Sequence, residues 1–313
     1  MTDELTWGTL APGELRAVAA LAARCVAADG GLPLVADEAF LARRFAGEGV
    51  RTLVAEAAGS LVAAAATRPQ DQGVRATGLV DPDWRGRGLG SRLLDWQLGE
   101  GAAHATAGEG AAHATAGEGA ARGTAGDGAG RPPVTVETEA LTPAAERLFA
   151  TRGLGCVFAE EVLRFDLDAG APLSPVPEGV VLRSWDADLA PRFYAVYHAA
   201  FAERPGFPGW PLQTWVDWVA GDDDFRPQWS LLASDEAGDL GFIACADGWV
   251  VQVGVLPSAR GRGIGSALVC AALDRMRADG AAVAYLDVNV DNPAARLYRR
   301  LGFVDVGRRA RFA

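Results

Sequence analysis

The chain has 313 residues, 50 % hydrophobic and 22 % charged. That composition suits two globular domains and excludes a chain disordered throughout. Its 29 basic and 40 acidic side chains leave a net charge of −11, the reverse of the balance that a nucleic-acid-binding protein carries.

The first residues, Met1–Leu5, show no basic stretch leading into an apolar run, so no signal peptide is expected. No uncharged apolar run reaches the ~20 residues of a membrane helix. Cys25, Cys156, Cys245 and Cys270 are scattered, with no Cys-x-x-Cys and no Cys/His cluster. That spacing argues against a zinc site and against a disulfide framework. The expectation is a soluble, cytoplasmic protein with no metal and no nucleic-acid or membrane partner.

In chain order, the first informative segment is a strand-like run, Ala76–Val80, that leads into Asp81-Pro82-Asp83-Trp84-Arg85-Gly86-Arg87-Gly88-Leu89-Gly90-Ser91. Leu89, Leu93, Leu94 and Leu98 then fall at helical spacing. A nine-residue unit, GEGAAHATA, follows at Gly99–Ala107, repeats at Gly108–Ala116 and decays over Gly117–Ala125. Glycine costs roughly 1 kcal/mol in a helix interior, so this segment reads as a flexible loop or a frayed helical extension. It holds His104 and His113, but two histidines in Gly-rich chain form no preorganised metal site. Next come a β-rich run at Pro133–Thr138 and a helix, Leu148-Phe149-Ala150-Thr151-Arg152, capped by Gly153. A further β run precedes a Pro-rich linker at Ala169–Glu178.

The whole series then returns. A strand-like run, Trp249–Val255, leads into Leu256-Pro257-Ser258-Ala259-Arg260-Gly261-Arg262-Gly263-Ile264-Gly265-Ser266. Ile264, Leu268, Val269, Ala272 and Leu273 give the following helix, Ala282–Val290 the β run, and Leu297-Tyr298-Arg299-Arg300-Leu301 a helix capped by Gly302. Without the insert, the loops lie about 145 residues apart, one ordinary domain. The chain therefore reads as a tandem duplication: copies at 1–168 and 179–313, a linker at 169–178, and an insert at 99–131 in the first copy alone.

In Arg-Gly-x-Gly-x-Gly the glycines leave backbone N–H groups uncovered at a helix start, which suits phosphate oxygens. Each copy also places a proline, Pro82 or Pro257, three residues before the arginine. With these features the chain resembles the GCN5-related N-acetyltransferase (GNAT) superfamily. The superfamily's Arg/Gln-x-x-Gly-x-Gly/Ala signature is met by Arg85, Gly88 and Gly90, and again by Arg260, Gly263 and Gly265. Its late motif is met by Asn292, Pro293, Ala295, Leu297, Tyr298, Gly302 and Phe303. The resemblance implies an α/β (α+β) fold in each copy: a mixed, mostly antiparallel central sheet flanked by helices. It also implies acetyl-CoA as co-substrate, and an acetyl group passed to a primary amine of a small molecule or peptide. The chain acting as monomer or as homodimer fits equally.

The resemblance assigns roles residue by residue. The loop Arg260, Gly261, Arg262, Gly263, Ile264, Gly265 and Ser266 would hold the pyrophosphate. Its counterpart would be Arg85, Gly86, Arg87, Gly88, Leu89, Gly90 and Ser91. Val253 and Val255, on either side of Gly254, would pair with the pantetheine arm, one amide polarising the thioester carbonyl. Tyr298 would protonate the departing thiolate. The first copy has Phe149 at that position and Thr142 where the second has Asp291-Asn292, so catalysis is expected in the second copy. Asn292 lies six residues before Tyr298, one fewer than the superfamily's usual spacing. Asp287 and Glu203 are the candidate general bases, because strand Trp249–Val255 has Gln252 but no carboxylate. Asp222-Asp223-Asp224 reads as a solvated loop that could also attract a cationic amine. Trp210, Trp215, Trp218, Trp229 and Trp249 cluster before the second loop and read first as core, then as acceptor-pocket walls. The two-copy plan is similar to that of mycothiol synthases, a group that acetylates a cysteinyl amine. The similarity departs at Trp249, where that group carries an acidic residue. The remaining alternative is a non-catalytic acyl-CoA-binding protein.

Overall fold

The computed structural model describes residues 4–11, 13–70, 73–108, 134–170, 174–204 and 206–313. They fall into two compact units. Unit 1 holds the described residues up to 162 together with 306–313; unit 2 holds 163–305. In chain order, unit 1 begins with β1 (Thr6–Gly8), α1 (Leu15–Asp29), α2 (Glu38–Phe45), β2 (Arg51–Ala57), β3 (Ser60–Pro69) and β4 (Val74–Val80). It continues with α3 (Leu89–Gly108), β5 (Val134–Thr138), α4 (Pro143–Ala150) and the larger part of β6 (Cys156–Asp166). Unit 2 carries β7 (Val181–Ser184), α5 (Ala190–Phe201), α6 (Leu212–Ala220), β8 (Leu231–Asp235), β9 (Gly238–Ala246) and β10 (Trp249–Val255). After these come α7 (Ile264–Ala278), β11 (Val283–Asn289) and α8 (Ala295–Arg300). The last strand, β12 (Val304–Phe312), belongs to unit 1 from Val306 onward.

Within unit 1 the strands run β1-β2-β3-β4-β5-β12-β6; β4 and β5 are parallel, while β1–β2, β2–β3, β3–β4 and β5–β12 are antiparallel. Within unit 2 they run β11-β10-β9-β8-β7, and only β10 and β11 are parallel. Each unit is therefore the mixed, mostly antiparallel sheet with flanking helices that the loop motifs imply.

Strand alternation divides the unit 2 core between the two faces of its sheet. Ile243 and Cys245 of β9 join Leu268, Leu273 and Met276 of α7 and Tyr298 of α8. Phe242 and Ala244, their neighbours in sequence, join Phe193 and Tyr197 of α5 and Trp215 of α6. Helix α7 forms where Ile264, Leu268, Ala272 and Met276 recur at helical spacing and bury one face. Arg275 and Arg277 in its last turn complement the helix dipole.

The elements foreseen around the two loops are present with small shifts of boundary. Helix α3 runs through the first nine-residue unit to Gly108; the rest of the repeat, with His113 and the side chain of His104, lies outside the described residues. The described residues of 170–178 form neither helix nor strand. The packing units and the sequence copies do not share their edges. β12, at the end of the second copy, pairs with β5 of the first, Ala310 opposite Thr138 and Phe312 opposite Val136. Phe312 packs on Phe149 with ring centroids 4.8 Å apart, and Arg309 and Arg311 pair with Glu139 and Glu137.

Candidate active site

The site in unit 2 starts from a gap between two strands. β10 and β11 pair in parallel where Trp249 faces Tyr285, with a register shift against β9 between Val250 and Gln252. Beyond that point β10 stays on β9, Val253 opposite Ile243 and Val255 opposite Gly241. Backbone N–H groups alternate between the edges of a strand. The Leu256 N–H is donated to the Leu240 oxygen, so those of Val255 and Val253 turn to the other edge, where β11 has parted. Gly254 lets aromatic rings approach this strand closely. A Cβ there would meet Phe242 Cε1 at 2.6 Å and Phe201 Cε2 at 2.9 Å.

The loop after β10 turns on Gly261 (φ 79°) and Gly263 (φ 83°), left-handed values that favour glycine. Gly263 caps α7 without any side-chain hydrogen bond, and no described residue accepts from the N–H groups of Ile264, Gly265 and Ser266. These amides, at the positive end of a helix, suit a pyrophosphate. Unit 1 repeats the geometry with Gly86 (φ 73°) and Gly88 (φ 85°).

All four loop arginines have protein partners for their side chains. Arg260 donates to Glu203 Oε2 (3.1 Å), Ala200 O (3.3 Å) and Val255 O (3.4 Å). Arg262 donates to Asp235 (3.0 Å), and that hydrogen bond holds the Asp235 carboxyl below its ordinary range. Arg85 donates to both oxygens of Asp29 and to Val80 O. Arg87 lies over the Trp84 ring and donates to Asp83 O. The charge that the sequence places around an anion is thus already engaged, and the loop offers its backbone.

The final helix of each unit packs on the first turn after its loop. A Cβ on Gly265 would lie 3.5 Å from Leu297 and 3.6 Å from Val255; one on Gly90 would lie 3.3 Å from Leu148 and 3.9 Å from Val80. The contacts superimpose Leu148 on Leu297, and so Phe149 on Tyr298. Tyr298 is 8 % exposed. Burial pushes its pKa up to about 12, opposed by the nearby Arg204 cation. Phe149 is equally buried but has nothing to donate. Asn292 spends its side chain on the turn that opens α8, accepting from Ala294 N (3.0 Å). Thr142 does the same for α4, accepting from Ala145 N (3.1 Å).

The two candidate bases differ in setting. Asp287 is half-buried on β11, between Leu286 and Val288 of the α7 side, so it faces the α5–α6 side. Tyr285 shares that face and stacks on Trp249 at 5.2 Å. Gln252 of β10 also points there, accepting from Trp215 Nε1 (3.1 Å). Glu203 instead sits just past α5 as the exposed partner of Arg260. Of the five tryptophans, Trp215 and Trp229 are core, Trp210 and Trp249 are half-buried and Trp218 is exposed. Asp222, Asp223 and Asp224 are exposed. The Asp29 and Ala200 partners of the loop arginines carry no motif, and only a repeated charge at the end of each first helix could have flagged them.

Comparison with known proteins agrees with this geometry. Residues 193–303 match a family model described as Acetyltransferase (GNAT) family, and residues 48–121 one described as Acetyltransferase (GNAT) domain. A mycothiol acetyltransferase from Thermobispora bispora is 32 % identical over 93 % of this chain and 93 % of its own. One from Clavibacter michiganensis is 33 % identical over 79 % of this chain and 74 % of its own. Among solved structures, a GCN5-related N-acetyltransferase from Sphaerobacter thermophilus aligns with a TM-score of 0.71 at 25 % identity, covering 98 % of this chain and 94 % of its own. A tandem GNAT protein from the clavulanic acid biosynthesis pathway shares the fold, with a TM-score of 0.61 at 18 % identity over 99 % of this chain and 98 % of its own.

Proposed function

The chain belongs to the GNAT family of acetyltransferases, and from that premise we propose that unit 2 carries the chemistry, moving acetyl from acetyl-CoA to the primary amine of a small molecule. The observation that carries the reading is the pair Tyr298 and Phe149: equivalent, equally buried, and only one with a proton to give. Among acceptors we take first the cysteinyl amine of a mycothiol precursor. Relatives that match nine-tenths of the chain bear the name mycothiol acetyltransferase.

Each residue then has a task. The amides of Ile264, Gly265 and Ser266 receive the pyrophosphate, and Gly263 gives the loop its turn. The Val253 and Val255 amides grip the pantetheine arm, one of them polarising the thioester carbonyl. A preorganised donor of this kind supplies about 3 kcal/mol of transition-state stabilisation. Asp287 takes the proton that leaves the amine, directly or through water. The amine nitrogen bonds to the carbonyl carbon, the carbon–sulfur bond breaks, and Tyr298 gives its hydroxyl proton to the departing sulfur. Holding the two substrates side by side supplies the remaining advantage. Unit 1 keeps the loop without the acid, which suits binding rather than turnover.

The test is release of free CoA thiol by the purified chain across a panel of amines that includes a cysteinyl amine of a mycothiol precursor, beside simple amino sugars and peptides. Release with the cysteinyl amine supports the reading. Acetyl-CoA binding without release toward any amine would leave a non-catalytic binding protein.

A further inference from the structure

We infer that Glu203 and Asp29 are positioning residues, each holding its unit's loop arginine against the end of the preceding strand so that the loop amides stand where acetyl-CoA needs them. The inference rests on the acetyl-CoA reading of the loops, and it changes the role of Glu203 from base to strut.

The same construction occurs twice. In unit 2, Arg260 Nε donates to the oxygen of Val255, the last residue of β10, and its two Nη atoms donate to Glu203 and to Ala200 O. In unit 1, Arg85 Nε donates to the oxygen of Val80, the last residue of β4, and its two Nη atoms grip both oxygens of Asp29 at 2.7 and 2.6 Å. In both cases the carboxylate stands at the end of the unit's first long helix: Asp29 closes α1, and Glu203 follows α5 by two residues. A guanidinium held on a strand carbonyl and a helix-end carboxylate has spent its fork. It fixes the strand end, and with it the direction of the loop that follows. The two copies have nearly identical loops, Arg-Gly-Arg-Gly-Leu-Gly-Ser and Arg-Gly-Arg-Gly-Ile-Gly-Ser, but different acids, Asp in one and Glu in the other, and both keep the arrangement.

The two struts differ in strength. The Asp29 side chain is 12 % exposed and bidentate, whereas Glu203 is 65 % exposed and makes one bond. An exposed pair contributes little, so the effect in unit 2 is modest and appears in substrate affinity.

Steady-state kinetics and calorimetric binding of CoA separate a strut from a base. Glu203→Ala should raise the KM for acetyl-CoA about two- to fivefold while kcat and the pH profile hold. Glu203→Asp, with the side-chain type that serves in unit 1, should recover most of the loss. Arg260→Ala should raise the same KM, and the double variant Glu203→Ala/Arg260→Ala should not exceed Arg260→Ala alone. A fall in kcat with loss of the acidic limb of the pH profile would make Glu203 the base and overturn the inference. So would unchanged KM and CoA affinity in Glu203→Ala. A wild-type chain that fails to bind CoA overturns the acetyl-CoA reading and the strut with it; wild-type binding with an indifferent variant overturns the strut alone.

Discussion

At the scale of single residues, function turns on what a side chain can donate in its particular surroundings. Tyr298 and Phe149 occupy equivalent buried places, yet only the tyrosine carries a proton. Tyr298→Phe should lower kcat by roughly 10²–10⁴ and leave the KM for acetyl-CoA unchanged; a full rate in the variant removes Tyr298 from the mechanism. Burial lifts the phenol to about 12, so it stays protonated through neutral and moderately alkaline solution. No basic limb of the pH–rate profile below about pH 10 should therefore trace to it. The same shift has a stability consequence. A group with a folded pKa raised above the unfolded 10.0 contributes fully below pH 10, and loses that contribution as pH rises toward 12. Tyr298→Phe should flatten part of this alkaline loss in denaturant titrations, leaving the parts due to Tyr197, pushed up to about 12, and to the thiols of Cys25, Cys245 and Cys270, which burial also pushes up. Gly254 is decided by space: a methyl group there meets the Phe242 and Phe201 rings. Gly254→Ala should cost about 1–3 kcal/mol, read as a lower denaturation midpoint.

At the scale of elements, the loop arginines show which part of a motif is local and which is not. The signature at Arg260, Gly263 and Gly265 located a helix start with open amides, because left-handed glycines and a helix N-terminus are local properties. Where the arginine side chain points is not local, since its partners Ala200 and Glu203 stand some sixty residues earlier. β12 gives the same lesson for packing. Its alternation is visible in the sequence, but its partner β5 lies in the first copy. It brings Phe312, 2 % exposed, to the core beside Phe149. It also brings Arg309 and Arg311 to nearly buried carboxylates. Phe312→Ala should cost about 3–5 kcal/mol, measured by equilibrium unfolding and seen first in probes placed in unit 1.

At the scale of the whole molecule, two copies of one fold carry unequal equipment. Both retain the glycine loop and the parting of parallel strands. Unit 2 adds the hydroxyl of Tyr298 and places Asp287 on the α5–α6 face. Unit 1 has Glu137 on β5, paired to Arg75 and Arg311, and Glu139 just past it, paired to Arg44 and Arg309. Introducing a charge into one loop at a time tests the difference. Gly263→Glu should abolish turnover, whereas Gly88→Glu should leave thiol release largely intact; the reverse result would place the chemistry in unit 1.

The sequence alone determined the duplication, the two glycine loops, the family, and the difference between Tyr298 and Phe149. Each is written in residues close together in the chain, where turn geometry, helical spacing and side-chain chemistry act over a few positions. Only the tertiary structure decided that Glu203 and Asp29 face the loop arginines, that Asp287 shares a sheet face with Tyr285, and that the last strand completes the first unit. Those outcomes depend on which strand edges meet and which face each residue takes. One step of register reverses every side chain on a strand, and no local pattern records the partner.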